Sequence, residues 1–371
     1  MVEIRKVRIR LVEMKLKVPF ETSFGRTHVR KAIIVELEGE SEVGYGECPA
    51  GEDPFYSYET WATAWHIMED FIVPRVLGRE FHTPEELLQA LKRIRGHNMA
   101  KTGFEEALWD LLGKLEGKSV AKLLGGVKSK IESGVSIGIK KDIETLLRTI
   151  GDYLDKGYRR IKIKIKPGWD VEVVRRIRSE FPKIPLMVDA NGAYTLDDMP
   201  VFKELDRFGL MMIEQPLSYD DLVDHAELQS KVRTPICLDE SISSVSDLKA
   251  GLKLGSLRIL NIKPARVGGL SVARVMHDIC AEKGIPVWCG GMLETGIGRA
   301  HNVALASLPN FKLPNDISAS DRYYEQDIVE PPFTLNPDGT IDVPKGPGIG
   351  VEVLHEVLER YTKKDKLFVR G

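Results

Sequence analysis

Five charged residues recur at near-constant intervals through the middle of the chain: Lys164, Asp189, Glu214, Asp239 and Lys263, separated by 25, 25, 25 and 24 residues. Each stands at or near the end of a short apolar run, in RIKIK, LMVD, LMMIE, PICLD and RILNIK. A strand, a helix and two short connections consume about that many residues, so the interval is that of consecutive βα units. Strands of such units run parallel, and their carboxyl ends share one rim. The ladder therefore gathers three carboxylates and two lysines in one place.

The segments around the ladder extend the pattern. Strands are expected at 133–138, 161–165, 186–190, 210–214, 235–239, 258–263, 286–290 and 313–317, with helices at 143–156, 170–180, 270–283 and 298–307 among them. Eight strands in alternation with helices is the count of a closed (β/α)₈ barrel, an α/β fold of the TIM type. An open doubly wound sheet would place ligands at one switch point, not at the ends of five successive strands. In Arg160–Lys166 the sequence R-I-K-I-K-I-K puts isoleucines on one face and basic residues on the other. Between two other strands the isoleucines must meet the outer helices, which turns the lysines into the barrel.

At 371 residues the chain exceeds one ordinary core. Residues 3–13, 31–38 and 43–48 alternate as strands, with Gly39 and Gly44 bracketing a hairpin connection. Helical spacing follows at 58–77, 84–95 and 102–116, Thr83-Pro84 starting the second. The reading is an α+β capping domain over 1–126, the barrel over 127–323, and a segment 324–371, with a last helix near 351–362, that packs back on the cap.

Taken singly, Asp189, Glu214 and Asp239 could each cap a helix. Three such carboxylates within a few ångströms would force one to protonate unless a cation joins them. All-oxygen ligation suits Mg²⁺, with Mn²⁺ or another divalent ion able to substitute. Lys164 precedes the carboxylates by one strand and Lys263 follows them by one, so in a closed barrel they face each other across the metal. To act as a base a lysine must lose its proton, its pKa falling from about 10.4 toward about 7–8. Lys162, on the same face as Lys164, and the metal both push that way. A metal that holds a substrate carboxylate stabilises the enediolate left when the α-proton departs. The parts fit racemisation, epimerisation, β-elimination or cycloisomerisation of a small carboxylic acid.

The motifs KIKIKPGWD at 162–170, VDANGAY at 188–194, IEQPL at 213–217, LDES at 238–241, NIKPARVGG at 261–269 and GGMLETGIGRAHN at 290–302 resemble those of the enolase superfamily. Within it the chain is most similar to the o-succinylbenzoate synthase and N-succinylamino acid racemase group. The resemblance implies metal ligation by Asp189, Glu214 and Asp239, and acid/base roles for Lys164 and Lys263 on opposite faces. It implies two routes: dehydration to o-succinylbenzoate, a menaquinone precursor, or racemisation of an N-succinylamino acid. Arg266 resembles an arginine of members capable of racemisation. Asn191 and Glu240 are expected behind the ligands. Ser136, Phe20 and Phe24 of the loop PFETSFGR, and Gly291, Met292 and Leu293 are expected to touch substrate. Gly296-Ile297-Gly298 opens a helix that could receive an anion.

Rivals remain within and beyond the group. Muconate cycloisomerases share the two lysines. Dipeptide epimerases resemble one another in a D-x-D pattern from which Asp316-Ile317-Ser318 departs, and His301 lies too deep in its helix for a mandelate-racemase-like base. A barrel glycosidase could use Glu214 and Glu294, but it would leave both lysines idle. A net charge of −2 gives no reason to expect nucleic acid or an anionic membrane as partner. No long apolar run or signal peptide is apparent, and Cys48, Cys237, Cys280 and Cys289 lack CxxC spacing, so they are expected to be reduced core thiols in a cytoplasmic protein. Barrels of this kind commonly form symmetric homo-oligomers.

Overall fold

The computed structural model describes residues 1–23 and 25–370; Phe24, expected at the barrel mouth, lies outside the described residues. Four antiparallel strands form the cap sheet in the order Thr362–Val369, Lys6–Glu21, Arg26–Glu38, Val43–Cys48. The C-terminal strand pairs with the first along Lys6 to Val12, so the end of the chain completes the sheet made by its beginning. Both faces of this sheet are covered. Ile33, Val35 and Leu37 meet the cap's helices, while Ala32 and Ile34 belong to the core shared with the barrel. The first two strands run beyond the expected 3–13 and 31–38, and their ends pair Phe20 with Thr27 and Glu21 with Arg26 after a register shift. Beyond Leu16 on one strand and before Arg30 on the other, this extension has no buried face to impose alternation, so the pairing of its tip leaves little trace in the sequence.

The helix Asn98–Glu116 lies directly on the strand Val43–Cys48. A Cβ on Gly44 would stand 2.0 Å from the Ala107 carbonyl oxygen and one on Gly46 2.1 Å from that of Gly103. Gly44 therefore serves close packing within a strand, not the hairpin turn, which falls before Val43. The helix expected over 58–77 is split into Trp61–Ile67, a wide π turn Met68–Ile72, and Val73–Val76. Pro84–Leu91 starts as expected, Thr83 accepting from the Glu86 amide.

Seven parallel strands follow one another in spatial order: Val135–Ile137, Ile161–Lys164, Leu186–Asp189, Ile213–Glu214, Ile236–Leu238, Ile259–Ile262 and Val287–Cys289. The eighth, expected at 313–317, is not a regular strand. The chain there makes single parallel bridges, Phe311 to Val287 and Asn315 to Ser133, and so still spans the two edges of the curled sheet. Pro314 has no amide hydrogen to give a ladder, which breaks the strand between those bridges. Among the described residues no helix is long and apolar enough to cross a membrane, and all four cysteines are free and buried.

Buried carboxylates seat the cap on the barrel. Glu105 accepts from the Leu270 and Ser271 amides, each at 2.8 Å, where the helix Leu270–Glu282 begins without a side-chain cap of its own. Glu47 accepts from the Thr295 hydroxyl at 2.6 Å and the Gly298 amide at 3.0 Å, at the start of Gly296–Ala306. The helix start at Gly296-Ile297-Gly298, which could receive an anion, is thus occupied by the protein's own Glu47 carboxyl, which satisfies amides that the helix leaves free.

The same helix carries His301, fully buried, whose Nε2 lies 2.9 Å from the Tyr45 carbonyl oxygen across the two domains. Burial lowers its pKa from 6.5 to about 4. The unfolded chain takes a proton near the higher value and the folded chain only near the lower, so stability falls as acid is added through that window. His301→Asn keeps a donor for Tyr45 and should abolish roughly 2 kcal/mol of the stability lost between about pH 7 and about pH 5, read from urea unfolding midpoints. An unchanged slope would show that the imidazole does not carry that loss.

Candidate active site

Strand alternation stacks the barrel interior in two layers. Met187, Met212, Cys237, Ile259 and Trp288 form an apolar plug. Two residues further along their strands, on the same face, stand Asp189, Glu214, Asp239 and Asn261. Register pairs Lys164 with Asp189 and Asp189 with Glu214. The three carboxylates are at most 1% exposed, Lys162, Lys164 and Lys263 no more than 6%.

Every one of these charges is matched. Lys164 Nζ donates to Asp189 Oδ2 at 2.6 Å and to Asn191 Oδ1 at 2.7 Å. Lys263 Nζ lies 2.6 Å from Asp239 Oδ2. Arg266 donates from Nη1 to Asp239 Oδ1 and from Nε to the Ile242 carbonyl at 2.8 Å. It is 5% exposed, a buried member of the network and not a surface residue. Lys162 spans Glu214 at 2.9 Å, Asp189 at 3.3 Å and Asp316 at 2.5 Å. Asn261 Nδ2 donates to Glu214 Oε1 at 2.7 Å.

Burial works against each ionised form, so the pKa directions reveal which charges prevail. Lys263 is held above its ordinary range because burial is outweighed by Asp239. Asp189 is held below the usual carboxylate range, burial being overcome by Lys164 and Lys162. Glu214 is pushed up to about 8 by burial and next by the Asp189 charge, which is the crowding anticipated from three adjacent carboxylates. Among the described residues no three acidic, histidine or cysteine side chains close to metal-ligating distance, and ammonium groups stand between the carboxylates. The donor set nevertheless fits a hard divalent cation: three carboxylates on neighbouring strands, a Glu214 strained by its neighbour's charge, and buried oxygens without partners at Glu240 Oε2 and Asn261 Oδ1.

Asn191, with φ of 45°, bridges Lys164 to Glu240, its Nδ2 donating to Oε1 at 2.9 Å. Ser136 Oγ is buried without a partner on the first barrel strand. Gly291 has no room for a side chain, since a Cβ would meet the Asp316 carbonyl oxygen at 2.5 Å. Met292 packs against the cap core, whereas Leu293 and Phe20 pack against the barrel core. Glu294 lies near Glu47 and Glu106 at the contact of cap and barrel.

Three participants escape the sequence reading. Tyr56 reaches down from the cap, its hydroxyl donating to Asp239 Oδ1 at 2.9 Å and accepting from Lys263 Nζ at 3.1 Å. The one signal for it is a cluster of aromatic residues, PFYSYE, in a turn-rich connection. Asn261 sits inside a motif noted for its lysine. Asp316 holds Lys162 and also Arg160, 2.6 Å away, from the chain between the sheet edges.

A two-sided cap sheet over a parallel barrel, with three consecutive carboxylates flanked by lysines around the strand ends, defines a capped-barrel enzyme class. The chain belongs to the enolase superfamily: residues 4–125 match the mandelate racemase / muconate lactonizing enzyme N-terminal domain, and residues 145–357 the enolase C-terminal domain-like family. It is 53% identical over 370 residues to an o-succinylbenzoate synthase of Geobacillus stearothermophilus, covering 100% of this chain and 98% of that one. It is 49% identical to an N-succinylamino acid racemase of an Amycolatopsis species, covering 96% of each. The crystal structure of an enolase-superfamily member from Listeria innocua superposes with a TM-score of 0.96 at 44% identity over the full length of both chains.

Asp239 is the common partner of Lys263, Arg266 and Tyr56. Asp239→Ala leaves two buried cations facing no carboxylate of their own. Such a loss typically costs about 3–5 kcal/mol, so metal-free protein should unfold at markedly lower urea. An effect within experimental error would mean that the network relaxes without it.

Proposed function

We propose that this protein removes the proton α to a carboxylate, serving as an N-succinylamino acid racemase, an o-succinylbenzoate synthase, or both. The observation that carries the reading is the disposition of the two lysines. Lys164 ends the second barrel strand and Lys263 follows the sixth, with all three buried carboxylates on the strands between them. The relatives named for the two activities support the choice of substrates.

Asp189, Glu214 and Asp239 are the residues that would hold a magnesium ion, whose charge, when bound, stabilises negative charge gathering on the substrate's carboxylate. Lys164 takes the α-proton on its side of the substrate. Lys162 and Lys263 then face the enolate as ammonium groups, in a site screened from water by Tyr56 above and the Met187–Trp288 plug below. For racemisation Lys263 returns a proton to the opposite face. For dehydration Lys164 gives the captured proton to the departing hydroxide, water leaves, and Lys263 keeps its proton throughout. The second route would supply an aromatic precursor of menaquinone.

In D₂O with Mg²⁺, the α-proton of an N-succinylamino acid should exchange, as followed by NMR. Lys164→Ala and Lys263→Ala should each slow racemisation by about 10²- to 10⁴-fold, the usual contribution of a positioned acid or base. Absence of exchange across a range of side chains would sink the racemase reading, and a parallel assay of the cyclohexadiene substrate tests the synthase. EDTA should abolish either activity and added Mg²⁺ restore it; a protein indifferent to EDTA would overturn the metal assignment.

A further inference from the structure

Resting on the function proposed above, we propose that Arg30 receives the second carboxylate of the substrate, at the far end of its acyl chain. Side chains alternate along the strand Arg26–Glu38, and Arg30 shares its face with Ala32 and Ile34, which pack toward the barrel. Arg30 is 8% exposed. Basic neighbours on the strand are neutralised, Arg26 by Glu21 and Lys31 by Glu13 and Glu52. Among the described residues Arg30 has no such carboxylate partner. Its Nη2 donates to the Pro49 carbonyl, and its Nε is buried with no partner at all.

This guanidinium lines a cleft of about 340 Å³ together with Tyr56 and Met292. Tyr56 is the wall this cleft shares with the proposed reacting centre, its hydroxyl 3.1 Å from Lys263 Nζ on the other side. The cations of the centre are already committed: Lys162, Lys164, Lys263 and Arg266 each hold a buried carboxylate. Of the acids along the cleft, Glu52 faces Lys31 and Glu59 accepts from the Met99 and Ala100 amides. Asp53 is exposed at the rim.

A diacid substrate that places one carboxylate at the centre must desolvate the other as it enters. Burying an ionised carboxylate without a partner is prohibitive, and the planar fork of an arginine with free N–H groups is the partner that fits it. A neutral acyl chain gains nothing from this group. Arg30 is thus assigned as the residue that separates a carboxylate-terminated acyl group from a plain one.

The test is steady-state kinetics of the full chain with an N-succinylamino acid and the N-acetyl derivative of the same amino acid. Arg30→Gln should raise KM for the succinyl substrate by roughly 10- to 100-fold, the range of a lost hydrogen bond to a charged group. Its kcat, its melting temperature and its turnover of the acetyl compound should hold. Arg30→Lys, which keeps the charge, should fall between the two and serves alone if the glutamine variant does not fold. Equal losses on both substrates, or a loss in kcat at unchanged KM, would assign Arg30 to a structural role at the Pro49 carbonyl and overturn the inference. If the unsubstituted protein turned over neither compound, the racemase branch would fail and the KM of the cyclohexadiene diacid would be compared between Arg30→Gln and the unsubstituted protein instead; an unchanged KM there would overturn the inference, and no turnover of that substrate either would fail the parent reading and this one with it.

Discussion

Burial of like charges at the barrel rim is the constraint on which the rest of the site depends. Strand register sets Glu214 beside Asp189, and Asp239 stands two residues past Cys237, the register partner of Glu214, so all three carboxylates are buried together at the strand ends. Their repulsion must be offset from within the same enclosed space. The chain does this with Lys162, Lys164, Lys263 and Arg266, whose side chains reach the carboxylates from the flanking strands and the loop after the sixth. Beneath them the plug around Trp288 excludes water, which keeps every interaction in a low-dielectric setting. Lys162 also stands 4.9 Å from the Trp288 ring centre, so the plug itself helps hold a cation.

The cap answers a second demand. A site of this kind must be roofed without leaving polar backbone stranded at the seam. Glu105 and Glu47 supply the amides at the start of two barrel helices with acceptors, and His301 gives a cap-strand carbonyl its partner from the other side. These contacts fix how the sheet lies over the rim. Through that placement they determine where Tyr56 and Arg30 come down.

The difference between these layers explains what could be read from the chain. Barrel residues obey one rule: a fixed interval and a fixed parity put Lys164, Asp189, Glu214, Asp239 and Lys263 on one rim, and the resemblance of the flanking motifs made the same assignment. Asn191 and Arg266 follow because they lie within three residues of a rung. Tyr56 and Arg30 have no such relation to the ladder. They meet the rim only through docking of the cap, which no local pattern encodes. The eighth strand failed for a different reason. Pro314 denies it a ladder, yet Asn315 and Asp316 still reach the sheet edges, so the sequence period survived where the regular strand did not.

Asymmetry between the two lysines connects this architecture to the choice of reaction. Lys164 shares its proton with one carboxylate and the amide oxygen of Asn191. Lys263 shares Asp239 with both Arg266 and Tyr56, so three donors compete for one acceptor. The more firmly Arg266 and Tyr56 engage Asp239, the less of its charge remains to hold the Lys263 proton. A firmly held proton suits an ammonium that only stabilises an enolate, as dehydration requires. A proton that can be given up suits racemisation, where Lys263, in the role proposed for it above, would alternate between acid and base. On that proposal the same barrel would serve either outcome through the partners of one carboxylate, without altering the lysines or the acids themselves.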